Sequence, residues 1–159
     1  MIETDNQIAP VWGQAWSFRL RARVDNAMKN PSAVSVLLVE DSLPVRRRIR
    51  SLIEESCPVR IVGESGTTAG ALALFLEHQP DAVILDLQLA DGTASPVLQR
   101  IKQLRPSCVV IVLTNFPIPE CRELCLELGA DYFFDKSLEF ERVPEALMKL
   151  HRAKGDEGI

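Results

Sequence analysis

The chain has 159 residues, 47% hydrophobic and 25% charged, a balance that suits one globular domain able to bury a core without disulfide or metal staples. Its net charge of −4 and pI near 5.3 argue against the basic footprint of a whole-domain nucleic-acid binder. No apolar run approaches the roughly 18 residues of a membrane span, and no charged n-region with an apolar stretch opens the chain, so a cytoplasmic location is expected.

Residues 1–32 differ from the rest. They hold both tryptophans, Trp12 and Trp16, and the alternating Arg19, Arg21 and Arg23, with a weak helical stripe through Trp12, Trp16, Leu20, Val24 and Ala27. Such a stripe suits an amphipathic arm, but order is usually lost at termini. Met28 stands just ahead of the first strand, where such a domain would normally begin. Residues 1–32 are therefore expected to be a disordered extension or a start-site artefact, residues 33–152 the domain, and residues 153–159 a polar tail.

From Val34 onward strands and helices alternate. The first apolar run, Val36 to Val39, is followed by a helix over Pro44 to Glu55, whose Val45, Ile49, Leu52 and Ile53 share a face opposite Arg46, Arg47, Arg48 and Arg50. Val59 to Val62 reads as a second strand and Thr67 to Glu77 as a helix, closed by Pro80. The third strand, Ala82 to Leu85, precedes a turn at Asp91-Gly92 and a helix from Ser95 to Leu104 with Pro96 in its first turn. The fourth strand, Val109 to Leu113, leads to a helix over Pro119 to Leu128 that stops at Gly129. Tyr132 to Phe134 is the fifth strand, and the last helix runs from Val143 to Arg152. This alternation predicts an α/β fold with a parallel sheet covered on both faces; right-handed crossovers leave few topologies open, and five strands with five helices fit, partly by analogy, a doubly wound sheet of order 2-1-3-4-5 in a flavodoxin-like three-layer sandwich. Ligands of such sheets sit beyond the carboxyl ends of the strands, at the switch between the first and third.

Four of the five runs end in groups suited to phosphoryl transfer: Glu40-Asp41, Asp86, Thr114 and Asp135-Lys136. The four cysteines, Cys57, Cys108, Cys121 and Cys125, lack zinc or redox spacing and read as reduced, packed thiols. The segments Leu38-Val39-Glu40-Asp41, Ile84-Leu85-Asp86-Leu87, Val112-Leu113-Thr114 and Asp135-Lys136-Ser137, in this order at strand ends, resemble the receiver domain of bacterial two-component response regulators. The likeness covers about Val34 to Arg152.

The resemblance implies that Asp86 is the phosphoacceptor. It implies that Mg2+ is held by Asp41 and Asp86, by Glu40 directly or through water, and by the backbone carbonyl of Gln88. Lys136 would pair with a phosphoryl oxygen and Thr114 would hydrogen-bond it after transfer. Chemistry agrees, since a carboxylate can form an acyl phosphate, Mg2+ prefers oxygen ligands, and clustered acids repel one another without a cation. Phe133 stands where the family carries its switch aromatic, although Tyr132, Phe133 and Phe134 are consecutive and register decides which of them faces the core.

The resemblance further implies a stand-alone signalling protein, not an enzyme in its own right. It would be phosphorylated by a sensor histidine kinase or histidine phosphotransfer protein docking on the arginine-bearing helix, and it would act on a downstream protein rather than on DNA. Three features depart from the family pattern: Ala90 replaces a frequent proline, which suggests a looser loop after Asp86; Ser137 replaces the proline after Lys136, so that peptide is expected trans; and Asn115 to Pro119 is an unusually proline-rich entry to the fourth helix. Competing readings are a phosphorylation-independent interaction module with a relic site, an aspartyl-nucleophile phosphatase, which would want an acid rather than Gln88 two residues after Asp86, and a nucleotide- or flavin-binding domain, which would want a glycine-rich loop after the first strand.

Overall fold

A computed structural model describes residues 33–157; the expectations for residues 1–32 lie outside this range. The strands are β1 (Val34–Val39), β2 (Val59–Ser65), β3 (Ala82–Leu85), β4 (Val109–Thr114) and β5 (Tyr132–Asp135). They form one parallel sheet of order β2-β1-β3-β4-β5, as the alternation predicts. The helices are α1 (Leu43–Ser56), α2 (Thr68–His78), α3 (Ser95–Leu104), α4 (Pro119–Glu127) and α5 (Arg142–Glu157).

Successive strand residues point to opposite faces, and both faces are covered, which is why the strands read as unbroken apolar runs. On one face Val36, Leu38, Ile84, Ile111 and Phe134 pack against Ile49 and Ile53 of α1 and Val143, Ala146 and Leu147 of α5. On the other, Leu37, Val39, Val83, Val112 and Phe133 pack against Phe75 of α2, Leu98 and Ile101 of α3, and Cys125 of α4. The cysteines are all free, and burial pushes the thiols of Cys57, Cys108 and Cys125 up to about 11, as suits packing groups.

The helix ends follow local chemistry. Gly129, at φ +103, closes α4, where Ala130 N–H reaches the Cys125 carbonyl at 2.9 Å. Gln79 closes α2 in the left-handed region at φ 44, and Arg105 holds the carbonyls of Gln79 and Pro80. Two features depart from the sequence expectation. The segment after Asp86 is a two-stranded antiparallel ribbon, Gln88–Leu89 with Gly92–Thr93, and not simply a turn. The last helix continues through the expected tail to Glu157. Its extra turn is fastened because Lys154 Nζ donates to Asp81 Oδ2 at 2.7 Å and to the Ala33 carbonyl at 3.2 Å.

Asp81 is the hub of the sheet's amino end. Its Oδ2 also accepts from Ser35 N–H and Ser35 Oγ, each at 2.9 Å. Burial works to raise the Asp81 carboxyl, but the Lys154 and Ser35 bonds prevail and hold it below the usual carboxylate range. A depressed carboxyl contributes stability above its unfolded pKa, and that stability is lost as pH falls through the folded value. Asp81→Asn should therefore lower the unfolding free energy at pH 7 by roughly 2 kcal/mol. In chemical denaturation at stepped pH, the deficit should shrink toward zero below about pH 4.

Candidate functional site

Adjacent parallel strands end in step. Val39 pairs with Leu85 across β1 and β3, so the next residues, Glu40 and Asp86, leave the sheet side by side. The ladder continues one step beyond the strands: Asp86 N–H donates to the Val39 carbonyl at 3.0 Å, and Lys136 N–H to the Thr114 carbonyl at 2.8 Å. Asp135 pairs with Thr114 across β4 and β5, which sets Lys136 just past the end of β5. From there Lys136 Nζ reaches Glu40 Oε2 at 2.6 Å and Asp86 Oδ2 at 3.0 Å.

The pair of carboxylates and the ammonium are all buried: side-chain exposure is 2% at Glu40, 8% at Asp86 and 7% at Lys136. Such groups persist together because each charge compensates another. Burial pushes the Glu40 carboxyl above its ordinary value, against the pull of Lys136. Burial works to lower the Lys136 ammonium as well, but the two carboxylates outweigh it and hold it above the ordinary lysine value. Asp41 is exposed beside them, and Glu40, Asp41 and Asp86 each offer an oxygen within 4.8 Å of the others. Three acids face one ammonium, and hard oxygen donors in a half-open cluster are the donor set that a small divalent cation takes.

Residues 36–148 match the response regulator receiver domain family. The chain belongs to the response regulator receiver family. It is 34% identical over 111 residues to a protein-glutamate methylesterase/protein-glutamine glutaminase of Treponema pallidum, covering 69% of this chain and 28% of that protein. It is 27% identical over 121 residues to the response regulator protein VraR of Staphylococcus aureus, covering 76% of this chain and 58% of that protein. The chain thus spans less than two thirds of the length of these curated relatives. Among solved structures, a LuxR-family DNA-binding response regulator from Staphylococcus aureus superposes with a TM-score of 0.69 at 25% identity, covering 74% of this chain and 98% of that one. A CheY-like receiver domain protein from Methanospirillum hungatei superposes at 0.68 with 21% identity, covering 79% and 98%, a likeness of fold. Phosphorylation and Mg2+ are typical of this family.

The other expected site residues of this receiver fall as follows. Thr114 is fully buried, and its Oγ1 accepts from Phe116 N–H at 3.1 Å. Gln88 is tied to the site through its N–H, which donates to Asp86 Oδ1 at 3.2 Å. Register resolves the three consecutive aromatics: Phe133 faces α4, with the Arg122 guanidinium 5.7 Å from its ring centre, whereas Phe134 packs on the α1 and α5 side. Among the described residues no peptide is cis, so the Lys136–Ser137 bond is trans as expected. The thiols take no part in the acidic cluster.

Two expectations need adjustment. The loop carrying Ala90 is not left loose: Asp91 Oδ1 accepts from Thr68 N–H at 2.8 Å and Asp91 Oδ2 from Thr68 Oγ1 at 2.7 Å, pinning the ribbon to the start of α2. Of the four α1 arginines, three have partners within the domain and Arg47 is exposed. Arg46 bonds the Glu40 carbonyl, Arg48 lies 4.3 Å from the Phe140 ring centre, and Arg50 lies 3.2 Å from Glu64. Arg46 and Asp91 were not singled out by sequence. The only signal was their place a few residues after Glu40-Asp41 and Asp86, Arg46 in the first turn of α1 and Asp91 in the turn of the ribbon.

Replacing Lys136 strands two buried carboxylates. Lys136→Met should cost about 3 kcal/mol of unfolding free energy at pH 7, the scale for breaking a buried pair. Since protonation of Glu40, whose carboxyl already lies above its ordinary value, relieves the repulsion, thermal melts should show the deficit shrinking as pH is lowered from 7.

Proposed function

We propose that Asp86 accepts a phosphoryl group from the phosphohistidine of a sensor histidine kinase or a histidine phosphotransfer protein, and that the receiver then signals by contact with a downstream protein. The observation that carries this reading is the buried Asp86–Lys136–Glu40 cluster with Asp41 beside it. In the transfer an Asp86 oxygen attacks phosphorus as the donor's N–P bond breaks. The product is an acyl phosphate, and the donor imidazole takes up a proton when it leaves.

Glu40, Asp41 and Asp86 are the side chains that would hold Mg2+, with the Gln88 carbonyl as a backbone ligand. When bound, Mg2+ neutralises charge on the phosphoryl oxygens. Lys136 stands ready to exchange its contact with Asp86 for one with a phosphoryl oxygen, stabilising charge that develops during transfer. Thr114 Oγ1 accepts from Phe116 N–H, and its own proton would be offered to a phosphoryl oxygen. Drawing Thr114 inward vacates space on the α4 side of the sheet. Phe133 turns into that space and biases the surface formed by α4, β5 and α5 between two states. The protein works in the cytoplasm, where such kinases present phosphohistidine; among the described residues no helix is long and apolar enough to cross a membrane.

Incubation with Mg2+ and acetyl phosphate, read by intact mass, should add one phosphoryl group to the native chain and none to Asp86→Asn. Failure with every small donor and kinase would favour a phosphorylation-independent interaction module. In NMR spectra of the phosphorylated form the Phe133 ring resonances should shift, and Thr114→Ala should be phosphorylated with that shift largely lost. A ring that stays in place in the native phosphoprotein would remove Phe133 from the mechanism.

A further inference from the structure

Glu40 and Asp41 share one peptide. The orientation of that peptide decides whether both carboxylates can address one cation. Its carbonyl lies past the end of the β1 ladder and receives two donors from one side chain: Arg46 Nε at 2.9 Å and Arg46 Nη2 at 2.6 Å. The same guanidinium lies against the loop after β2. A Cβ on Gly66 would come within 3.1 Å of Arg46 Nη2 and 3.2 Å of the Asp41 Cα. The Gly66 carbonyl in turn accepts from Ala90 N–H at 3.3 Å, in the ribbon after Asp86. Arg46 therefore sits where the three loops around the acids meet.

Coulomb's law makes this placement costly for cation binding. A fixed positive charge beside an acidic cluster repels a divalent ion, and a neutral side chain of similar length would remove that repulsion. A helix-surface arginine has no need to fold back onto a loop carbonyl. Two hydrogen bonds from a planar, rigid donor fork fix both the position and the tilt of the acceptor group, which a lysine cannot do.

We propose that Arg46 is a positioning residue for the acidic pair: its guanidinium fixes the Glu40–Asp41 peptide so that both carboxylates address one Mg2+ ion. The inference rests on the reading of Glu40, Asp41 and Asp86 as the Mg2+ site. Outer groups that orient metal ligands commonly contribute tenfold or more to affinity. Positioning and plain charge thus make opposite predictions for Arg46→Met: the first weakens Mg2+ binding, the second tightens it.

The test is an NMR amide-shift titration of the full chain with MgCl2. Arg46→Met should bind Mg2+ about tenfold more weakly than the native chain, with Arg46→Lys in between. Gly66→Ala, which crowds the clamp but keeps every charge, should also weaken binding. Phosphorylation by acetyl phosphate in these variants should recover to near the native rate at saturating Mg2+, a split that general misfolding would not give. Should Arg46→Met fail to fold, Arg46→Lys and Gly66→Ala carry the test. Native-like or tighter Mg2+ binding by the folded variants overturns the proposal while leaving the proposed function standing. A native chain that shows no Mg2+ response overturns both, and the native trace alone tells the two failures apart.

Discussion

A buried ammonium held between two buried carboxylates sets the terms for this receiver's carboxyl end. Lys136 bridges Glu40 and Asp86 from a strand two places away from β3, across the end of β4. Each of these charges would cost several kcal/mol if left alone in the interior. They are tolerable only together, which requires β1, β3 and β5 to end at matched heights. The register of the sheet meets that requirement through unbroken pairing of β1 with β3, β3 with β4 and β4 with β5. The compensation is still incomplete, because Asp41 adds a third acid to one ammonium. The surplus negative charge favours a cation or an incoming group that restores the balance.

The two ends of the sheet carry opposite electrostatic arrangements. At the amino end, Asp81 gathers Ser35 and Lys154 onto one carboxylate oxygen, and its carboxyl is depressed below the usual range. Donors there exceed acceptors in effect, and the network ties β1, the start of β3 and the last turn of α5. At the carboxyl end acids outnumber donors, and the Glu40 carboxyl is raised. The satisfied network lies away from the acidic cluster, and the unbalanced charge lies where phosphoryl transfer is proposed. This division is expected of a fold that must hold a reactive site on a rigid platform.

The loops around the acids are braced by contacts unlike those their composition suggests. Ala90 stands where proline is frequent, yet the ribbon from Gln88 to Thr93 and the Asp91 bonds to Thr68 hold that segment against α2. Arginines that read as a solvated or docking face are largely engaged within the domain. The proposed docking of a kinase on α1 would therefore not draw on four free guanidinium groups.

The alternation of apolar runs with amphipathic stretches pointed to five parallel strands with polar groups at their ends and, with right-handed crossovers, left few strand orders open; the order 2-1-3-4-5 came partly by analogy with known doubly wound folds. Glu40, Asp86 and Lys136 were legible for the same reason: Glu40 and Asp86 follow directly on an apolar run and Lys136 one residue later, and register brings them together. What the sequence could not determine was where long side chains go once the fold is made. Phe133 and Phe134 are equivalent in composition, and only the pairing of β5 with β4 assigns one to the α4 side and the other to the α5 side. The last turn of α5 looked like a polar tail because its anchor, Asp81, lies 73 residues away in sequence. Arg46 looked like one of four surface arginines until the fold brought the Glu40 carbonyl within reach. Periodicity is a property of neighbours along the chain, whereas the destination of a flexible charged side chain is decided by partners that only tertiary packing supplies.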